Sequence, residues 1–200
     1  MDFVIPIDCK LLFGKQKEID KNMNKIKAGQ NMILTEEERE QMLLKAEKAY
    51  GEFLETLGYD WKNDPNMVKT PYRVAKMFIN EITSGSYEKP PKVVTFPSSG
   101  YSGMVTEMGI EVNSLCSHHL LPFCGVCHIS YIPKEGGTVL GLSKLNRVVH
   151  WFAKRPQLQE QLTKQIHDYL SEILGDTVRG IAVFIEAEHM CVSMLSLIHI

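Results

Sequence analysis

Two short clusters carry the side chains best suited to chemistry. Cys116, His118 and His119 lie within four residues of one another, and His189 and Cys191 stand together far downstream. Thiolate and imidazole are the ligand types that Zn²⁺ prefers in proteins. The two clusters therefore predict a metal site, provided that the fold brings them together.

Spacing indicates how these ligands would divide their roles. Cys116 and His119 are three residues apart, which suits a turn, and His189 and Cys191 are two apart, which on a strand places them on one face. Three ligands, Cys116, His119 and Cys191, would leave one tetrahedral position for water, as in catalytic zinc sites. His118 and His189 would then stay unligated, and imidazoles titrate near neutral pH, which suits general acid–base work.

Two alternatives compete with this metal site. In the first, the cysteines are buried small apolar side chains and the histidines are hydrogen-bonded polar residues. In the second, Cys124 and Cys127, followed by His128, form a zinc knuckle or a redox pair. A regular strand would point these two thiols to opposite faces, although Gly125 could permit a turn. No second Cys-x-x-Cys is available to complete a four-cysteine site.

A candidate anion site lies at the start of a predicted helix. Ser143 is the expected N-cap, and Lys144 and Arg147 lie one turn apart on the same side. Free N–H groups together with two cations would bind phosphate, whereas the alternative is a solvated basic face. Glu160, at the start of the next helix, could accept hydrogen bonds from a purine or pterin ring.

The first elements along the chain are predicted to be helices. One should begin after Thr35, which can form a capping box with Glu38, and end at Gly58. A second should open with Thr70 as N-cap and Pro71 as the first helical residue.

From about residue 92 the pattern changes to strands mixed with helices. Strands are predicted at 92–97, 105–112, 123–133 and 178–190, and helices with apolar stripes at 143–152 and 158–174. This order of elements favours an α+β fold in which helices cover an antiparallel sheet.

Composition excludes several classes of protein. The 200 residues fit one domain, with 44% apolar residues for a core. A net charge of −2 gives no electrostatic footprint for nucleic acid or an anionic membrane. We see no secretory signal and no apolar run near the ~20 residues needed to cross a bilayer. Five cysteines, an odd number, argue against a disulfide framework, so we expect a cytoplasmic protein with reduced thiols.

Several motifs in order make the chain resemble the GTP cyclohydrolase I family over roughly residues 36–194. The motifs are TPYRVAKM at 70–77, CSHHLLPF at 116–123, HISYIP at 128–133, GLSKLNR at 141–147, RPQLQEQLT at 155–163 and HMC at 189–191. No single motif would be specific, but their number and order are.

The resemblance implies a reaction and a fold. The reaction is hydrolytic opening of the guanine imidazole ring of GTP, which gives formate and 7,8-dihydroneopterin triphosphate at the entry to folate or biopterin synthesis. The fold is the tunnelling fold (T-fold), in which antiparallel sheets from several subunits close one barrel with helices outside. Family members are toroidal decamers with active sites between subunits, so the resemblance implies that this chain associates with itself as a pentamer or decamer.

The resemblance also implies roles for individual residues. Matching positions assign Cys116, His119 and Cys191 to Zn²⁺, which would activate a water for attack at C8, and His118 and His189 to proton transfer. Substrate binding would fall to Glu160 for the guanine, with Gln159 beside it, and to Ser143, Lys144 and Arg147 for the triphosphate. Cys124 and Cys127 would then be ordinary strand residues.

Two positions depart from the family pattern. Ser117 stands where the family often has Glu, with a mild expected effect. Leu195 stands where the family has an Arg that contacts the phosphates. The alternative to an active enzyme is therefore a catalytically impaired zinc-binding subunit that assembles with full-length ones. A third interpretation is a different T-fold enzyme that acts on a related purine or pterin. Residues 143–147 disfavour it, because they argue for a phosphorylated substrate.

The expected organisation has four parts. A mobile N-terminal arm at 1–34 precedes a helical region at 35–91 and a catalytic T-fold domain at 92–194. The atypical tail at 195–200 is expected to be a truncation or a cloning scar.

Overall fold

The computed structural model describes residues 25–195 as a helical region followed by a sheet with helices on one face. The helices are α1 (Glu36–Thr56), α2 (Thr70–Met77), α3 (Leu142–Ala153), α4 (Gln159–Leu174) and α5 (Met190–Met194). The strands are β1 (Thr95–Pro97), β2 (Val105–Cys116), β3 (Pro122–Pro133), β4 (Thr138–Leu140), β5 (Pro156–Gln157) and β6 (Val178–His189). This composition confirms the predicted α+β class.

Four strands form the main sheet in the order β5-β2-β3-β6. β3 pairs antiparallel with both β2 and β6, and the short β5 runs parallel to the end of β2. β2 carries a bulge between Glu107 and Ile110, where Gly109 adopts φ +73°, a conformation that only glycine adopts without strain. β1 and β4 form a separate two-stranded sheet.

One face of the main sheet is buried against α3 and α4. Alternate residues of β3 point to this face, and Phe123, Cys127, Ile129 and Tyr131 are all buried. The helices contribute Leu145, Val148, Val149, Leu162, Ile166 and Leu170 to the same core. Each large apolar side chain buried in this way stabilises the fold by about 1.5–3 kcal/mol.

The helical region begins as predicted and then differs in detail. The Thr35 hydroxyl accepts the backbone N–H of Glu38, and the Glu38 carboxylate accepts the backbone N–H of Thr35 at 2.7 Å, so the capping box is confirmed. α1 ends at Thr56, just before Gly58. The predicted N-cap of α2 is wrong: Lys69 occupies that position, and Thr70 is already the first helical residue.

Residues 25–34 pack along the helical region. Met32 N donates to Ser86 O at 2.7 Å, Leu34 N donates to Tyr87 O at 3.2 Å, and Leu34 is buried. The rest of the predicted arm, residues 1–24, and the tail residues 196–200 lie outside the described residues. Within residues 25–195, none of the helices combines the length and apolarity needed to cross a bilayer.

Several boundaries around the site differ from the sequence prediction. β1 begins at Thr95, and β2 continues to Cys116 because its end pairs with both β3 and β5. α3 begins at Leu142 with Gly141 as its N-cap and no side-chain cap, so the prediction of Ser143 as N-cap is wrong. Ser143 instead lies within the first helical turn.

Candidate functional site

Three potential metal ligands converge at one end of the main sheet. Cys116 is the last residue of β2, His189 is the last residue of β6, and Cys191 lies in the first turn of α5. One ligand atom from each lies within 4.8 Å of the others, and both thiols are buried and free. Two thiols and one imidazole at this separation fit a tetrahedral Zn²⁺ site, whose bonds are about 2.0–2.3 Å long.

Strand pairing explains how the two distant clusters meet. β3 is the shared neighbour of β2 and β6, and its Phe123 lies opposite both Ser114 and His189. The Phe123 and His189 rings stack with centroids 4.7 Å apart and planes 10° from parallel. Phe123 therefore supports the second cluster, a role that the sequence analysis missed because only the β3–β6 register places the two rings together.

The predicted strand geometry of the second cluster is wrong. β6 ends at His189, and Cys191 belongs to α5, so the two side chains do not share one face of a strand. The start of the helix instead brings the Cys191 thiol near that of Cys116.

His118 and His119 lie in the turn that follows β2. Leu120 N donates to Cys116 O and Cys116 N donates to Leu121 O, both at 2.8 Å. Leu120 adopts φ +55°, which is uncommon for a residue other than glycine. The turn is therefore well defined even though both imidazoles are exposed.

The structure brings together part of the predicted ligand set. Cys116 and Cys191 lie in one group, as expected for two ligands, and His189 is the imidazole that joins them. His119 is not in that group. His118 lies beside it, with Nδ1 3.6 Å from Cys116 Sγ.

Gln159 fixes the orientation of His189. The Gln159 amide nitrogen donates to Ile185 O at 3.0 Å, which turns its oxygen towards His189 Nε2 at 2.9 Å. An amide oxygen can only accept, so His189 Nε2 must carry a proton. Nδ1 is then left with a lone pair for a metal or for a proton.

The thiols differ in environment. Burial and the neighbouring Cys116 thiol raise the pKa of Cys191, which favours its protonated form in the absence of a cation. Burial also raises the pKa of Cys127 to about 12. Cys127 points into the core, whereas Cys124, three residues earlier on β3, is only half-buried, so the two lie on opposite faces and form no chelating pair.

The predicted phosphate-binding residues lie together on the first turns of α3. Ser143 and Arg147 are exposed and Lys144 is half-buried. Neither cation forms an ion pair within residues 25–195. Asn146, between them, donates to Glu107 Oε1 at 3.2 Å and thereby places one carboxylate near this helix start.

Glu160 and its neighbours mark the start of α4. Glu160 is exposed in the first turn, and the adjacent Gln159 faces His189.

The buried Gln157 was also missed by the sequence analysis. Its side-chain amide donates to Phe152 O at 2.6 Å and to Ser114 Oγ at 3.2 Å, and its backbone carbonyl accepts the N–H of Ser117 at 3.2 Å. Gln157 thus connects the end of α3 to the turn that carries the histidines.

Comparison with known proteins gives a consistent set of relatives. The family model described as GTP cyclohydrolase I matches residues 46–198. A Streptomyces avermitilis protein named GTP cyclohydrolase 1 is 46% identical over 151 residues, which are 75% of this chain and 73% of that protein. The Flavobacterium johnsoniae protein of the same name is 44% identical over 162 residues, 80% of this chain and 69% of its own length. The Desulforamulus reducens protein of the same name is 46% identical over 154 residues, which are 76% of this chain and 79% of that protein.

Proposed function

Because the chain belongs to the GTP cyclohydrolase I family, we propose that it catalyses hydrolytic opening of the guanine imidazole ring of GTP. It is a hydrolase, with formate and 7,8-dihydroneopterin triphosphate as products. The observation that carries this proposal is the convergence of Cys116, His189 and Cys191 in a chain with these relatives.

The resident metal of this site would be Zn²⁺. Cys116 and Cys191 would supply thiolates, and one imidazole would complete the protein ligands. The resemblance assigns this imidazole to His119, whereas His189 is the one that lies with the thiols. When bound, zinc supplies Lewis-acid activation of water by lowering its pKa towards about 7.

Counting the zinc in two variants separates these assignments. His119→Ala and His189→Ala should each be purified as assembled protein and analysed for zinc per chain. The variant that loses zinc identifies the ligand, and the imidazole that can be removed with zinc retained is the candidate proton carrier.

Proton transfer during ring opening would fall to His118 and to whichever imidazole is not a ligand. His118 lies beside Cys116, in reach of a group bound at the thiols. If His189 is the carrier, its Nε2 proton is held by Gln159 and its Nδ1 is the atom that accepts and returns a proton. Positioned acid–base groups of this kind contribute about 10²–10⁴-fold to a rate.

The substrate would be held at its two ends by different helices. Ser143, Lys144 and Arg147 at the start of α3 would bind the triphosphate, since two cations without an ion-pair partner in residues 25–195, beside free helical N–H groups, attract phosphate. Glu160 at the start of α4 would accept hydrogen bonds from the guanine, with Gln159 next to it.

We further propose that the chain assembles into the closed barrel of the T-fold, as a pentamer or decamer. The second face of the main sheet supports this, because its Met108 and Phe184 side chains are 72% and 61% exposed in the described chain. Sedimentation velocity tests the proposal, and a monomer at micromolar concentration would contradict it.

The turnover assay decides the catalytic proposal. Purified zinc-loaded protein should release formate and dihydroneopterin triphosphate from GTP, and His118→Ala should abolish this release. The alternative function, a catalytically impaired zinc-binding subunit, is favoured by Leu195 at the expected position of a phosphate-binding Arg. Assembled, zinc-containing protein without turnover would support that alternative.

A further inference from the structure

A single buried glycine ties the N-terminal segment to the main sheet. Gly29 N donates to Pro156 O at 2.8 Å, and Gly29 O accepts Arg155 Nη1 at 3.1 Å and Gln165 Nε2 at 2.9 Å. The φ of Gly29 is +75°, and a Cβ at this position would lie 2.9 Å from Gln165 Nε2. The backbone conformation therefore favours glycine, and a Cβ would displace the Gln165 amide that donates to Gly29 O.

Arg155 is a buried cation that is held by backbone carbonyls. The residue is 3% exposed, its Nε donates to Gly85 O at 3.1 Å, and its guanidinium lies 3.9 Å over the Trp151 ring. Burial lowers the pKa of Arg155 to about 10, so it stays charged at neutral pH. No carboxylate within residues 25–195 forms an ion pair with it, and its Nη2 has no hydrogen-bond partner there.

The carbonyl of Gly29 is therefore important to Arg155. A buried charge is tolerated only when nearby dipoles replace its lost hydration. Gly29 and Gly85 supply these dipoles from two segments that precede the sheet. If Gly29 moves away, Arg155 loses one of its two hydrogen-bonded carbonyls and must shift.

A shift of Arg155 would reach the candidate site through the next two residues. Pro156 and Gln157 form β5 and pair with Leu115 and Cys116 at the end of β2. Gln157 O accepts the N–H of Ser117, the residue directly before His118. Gly29 is thus connected to the histidine turn in three steps. It is hydrogen-bonded to Arg155 and Pro156, the backbone continues to Gln157, and Gln157 O accepts the N–H of Ser117.

The N-terminal segment and the turn also border one space. Residues 26–30 and the turn residues Ser117 and Leu120 line a common cavity of about 520 Å³. The hydrogen bonds of Gly29 to Pro156 O and Arg155 Nη1 connect residues 25–34 to β5, and Gln157 O of β5 accepts the N–H of Ser117 in the turn.

We infer that residues 25–34 are a positioning element for the candidate site, with Gly29 and Arg155 as the clamp that holds the Cys116–Leu121 turn. Gly29 and Arg155 touch no reacting group, so both are positioning residues. The effect of the clamp on turnover rests on the proposed function, but its effect on the turn does not.

Amide hydrogen exchange in the full chain tests the clamp directly. The amides of Ser117 and Leu120 report on it, because their hydrogen bonds to Gln157 O and Cys116 O define the turn. Gly29→Ala should accelerate their exchange about tenfold, because an L-residue is disfavoured at positive φ and its Cβ displaces Gln165. Gly58→Ala is the matched control, since Gly58 has φ +84° but a Cβ there would have no neighbour within 4 Å among the described residues.

A second variant keeps the test decisive if Gly29→Ala fails to fold. Gln165→Ala removes one hydrogen bond from Gly29 O without backbone strain, and should accelerate the same amides about threefold to tenfold. In both variants kcat should fall while KM for GTP stays within about twofold, because the proposed substrate contacts lie on α3 and α4.

Two results would overturn the clamp. One is unchanged exchange at Ser117 and Leu120 in a folded Gly29→Ala or Gln165→Ala variant. The other is equal acceleration in Gly58→Ala. A wild-type protein that lacks GTP turnover would refute the proposed function instead, and the exchange comparison would still decide the clamp.

Discussion

Replacing Gln159 by alanine is the sharpest test of how His189 works. Gln159 Oε1 lies 2.9 Å from His189 Nε2, and its amide nitrogen donates to Ile185 O at 3.0 Å. The alanine variant removes both hydrogen bonds and leaves the imidazole free to exchange tautomers. Phe123 would still stack on the ring, so the residue should stay near its place.

The size of the effect depends on the role of His189. If His189 binds zinc, loss of the partner that orients a ligand should weaken zinc binding about 10–100-fold, or about 1.4–2.8 kcal/mol. If His189 carries protons instead, zinc affinity should hold and kcat should fall by about tenfold or more, because only one tautomer is competent. Loss of the hydrogen bonds alone would cost about 0.5–1.5 kcal/mol each.

Two measurements on the same preparation separate these cases. Zinc affinity is measured by competition with a chelating dye, and kcat and KM are measured with GTP. The matched control is Gln161→Ala, two residues further along α4, whose side chain accepts the N–H of Leu158 at 3.3 Å and makes no other hydrogen bond within residues 25–195. This control should lose a little helix stability and neither zinc affinity nor kcat.

Equal zinc affinity and equal kcat in Gln159→Ala and Gln161→Ala would refute this role of Gln159. That outcome would mean that the Gln159–His189 contact has no part in binding or catalysis. A rise in KM alone would also refute it, and would favour a role for Gln159 limited to the substrate.

Three further predictions concern stability, reactivity and substrate affinity. Gly125→Ala should lower Tm by more than about 5 °C, because its Cβ would lie 1.9 Å from Glu186 O between β3 and β6. Gly180→Ala is the control, since its Cβ would meet no atom of residues 25–195 within 4 Å, and equal Tm values for the two variants would contradict this. Iodoacetamide at pH 8 should label Cys124 and spare Cys127. Burial raises the pKa of Cys127 to about 12 in the folded protein, so the free energy of unfolding should decrease as pH rises from about 8.5, the pKa of an unfolded thiol, towards about 12. Rapid labelling of native Cys127 would disprove its burial. Leu195→Arg should lower KM for GTP about tenfold through a charge-assisted hydrogen bond, and an unchanged KM would place Leu195 away from the phosphates.

Local sequence signals predicted much of the framework. The Thr35–Glu38 capping box, the end of α1 near Gly58 and the strand predicted at 123–133 depend on neighbours within a few residues, and all three are present. Errors occurred where an element's end is set by contacts elsewhere. β2 extends to Cys116 because β3 and β5 pair with it, which no pattern in residues 105–112 could indicate.

The residue types of the candidate site were also evident from the sequence. Two thiols and three imidazoles in two clusters predicted a metal site before any contact was known. The hydrogen-bond partners of these residues were not evident, because Gln159 meets His189 only through the packing of α4 on β6. The role of Gly29 was likewise hidden, since Arg155 lies 126 positions away along the chain.

The sequence by itself indicated the longer helices and strands, the side chains that carry chemistry and the family that the motifs resemble. Those properties follow from side-chain type and from the short periods of helices and strands. The tertiary structure alone decided that His189 joins Cys116 and Cys191, that Cys127 is buried away from the site, and that Gly29 compensates the charge of Arg155. These depend on strand register and on packing between distant segments, and such contacts leave no periodic pattern in a single sequence.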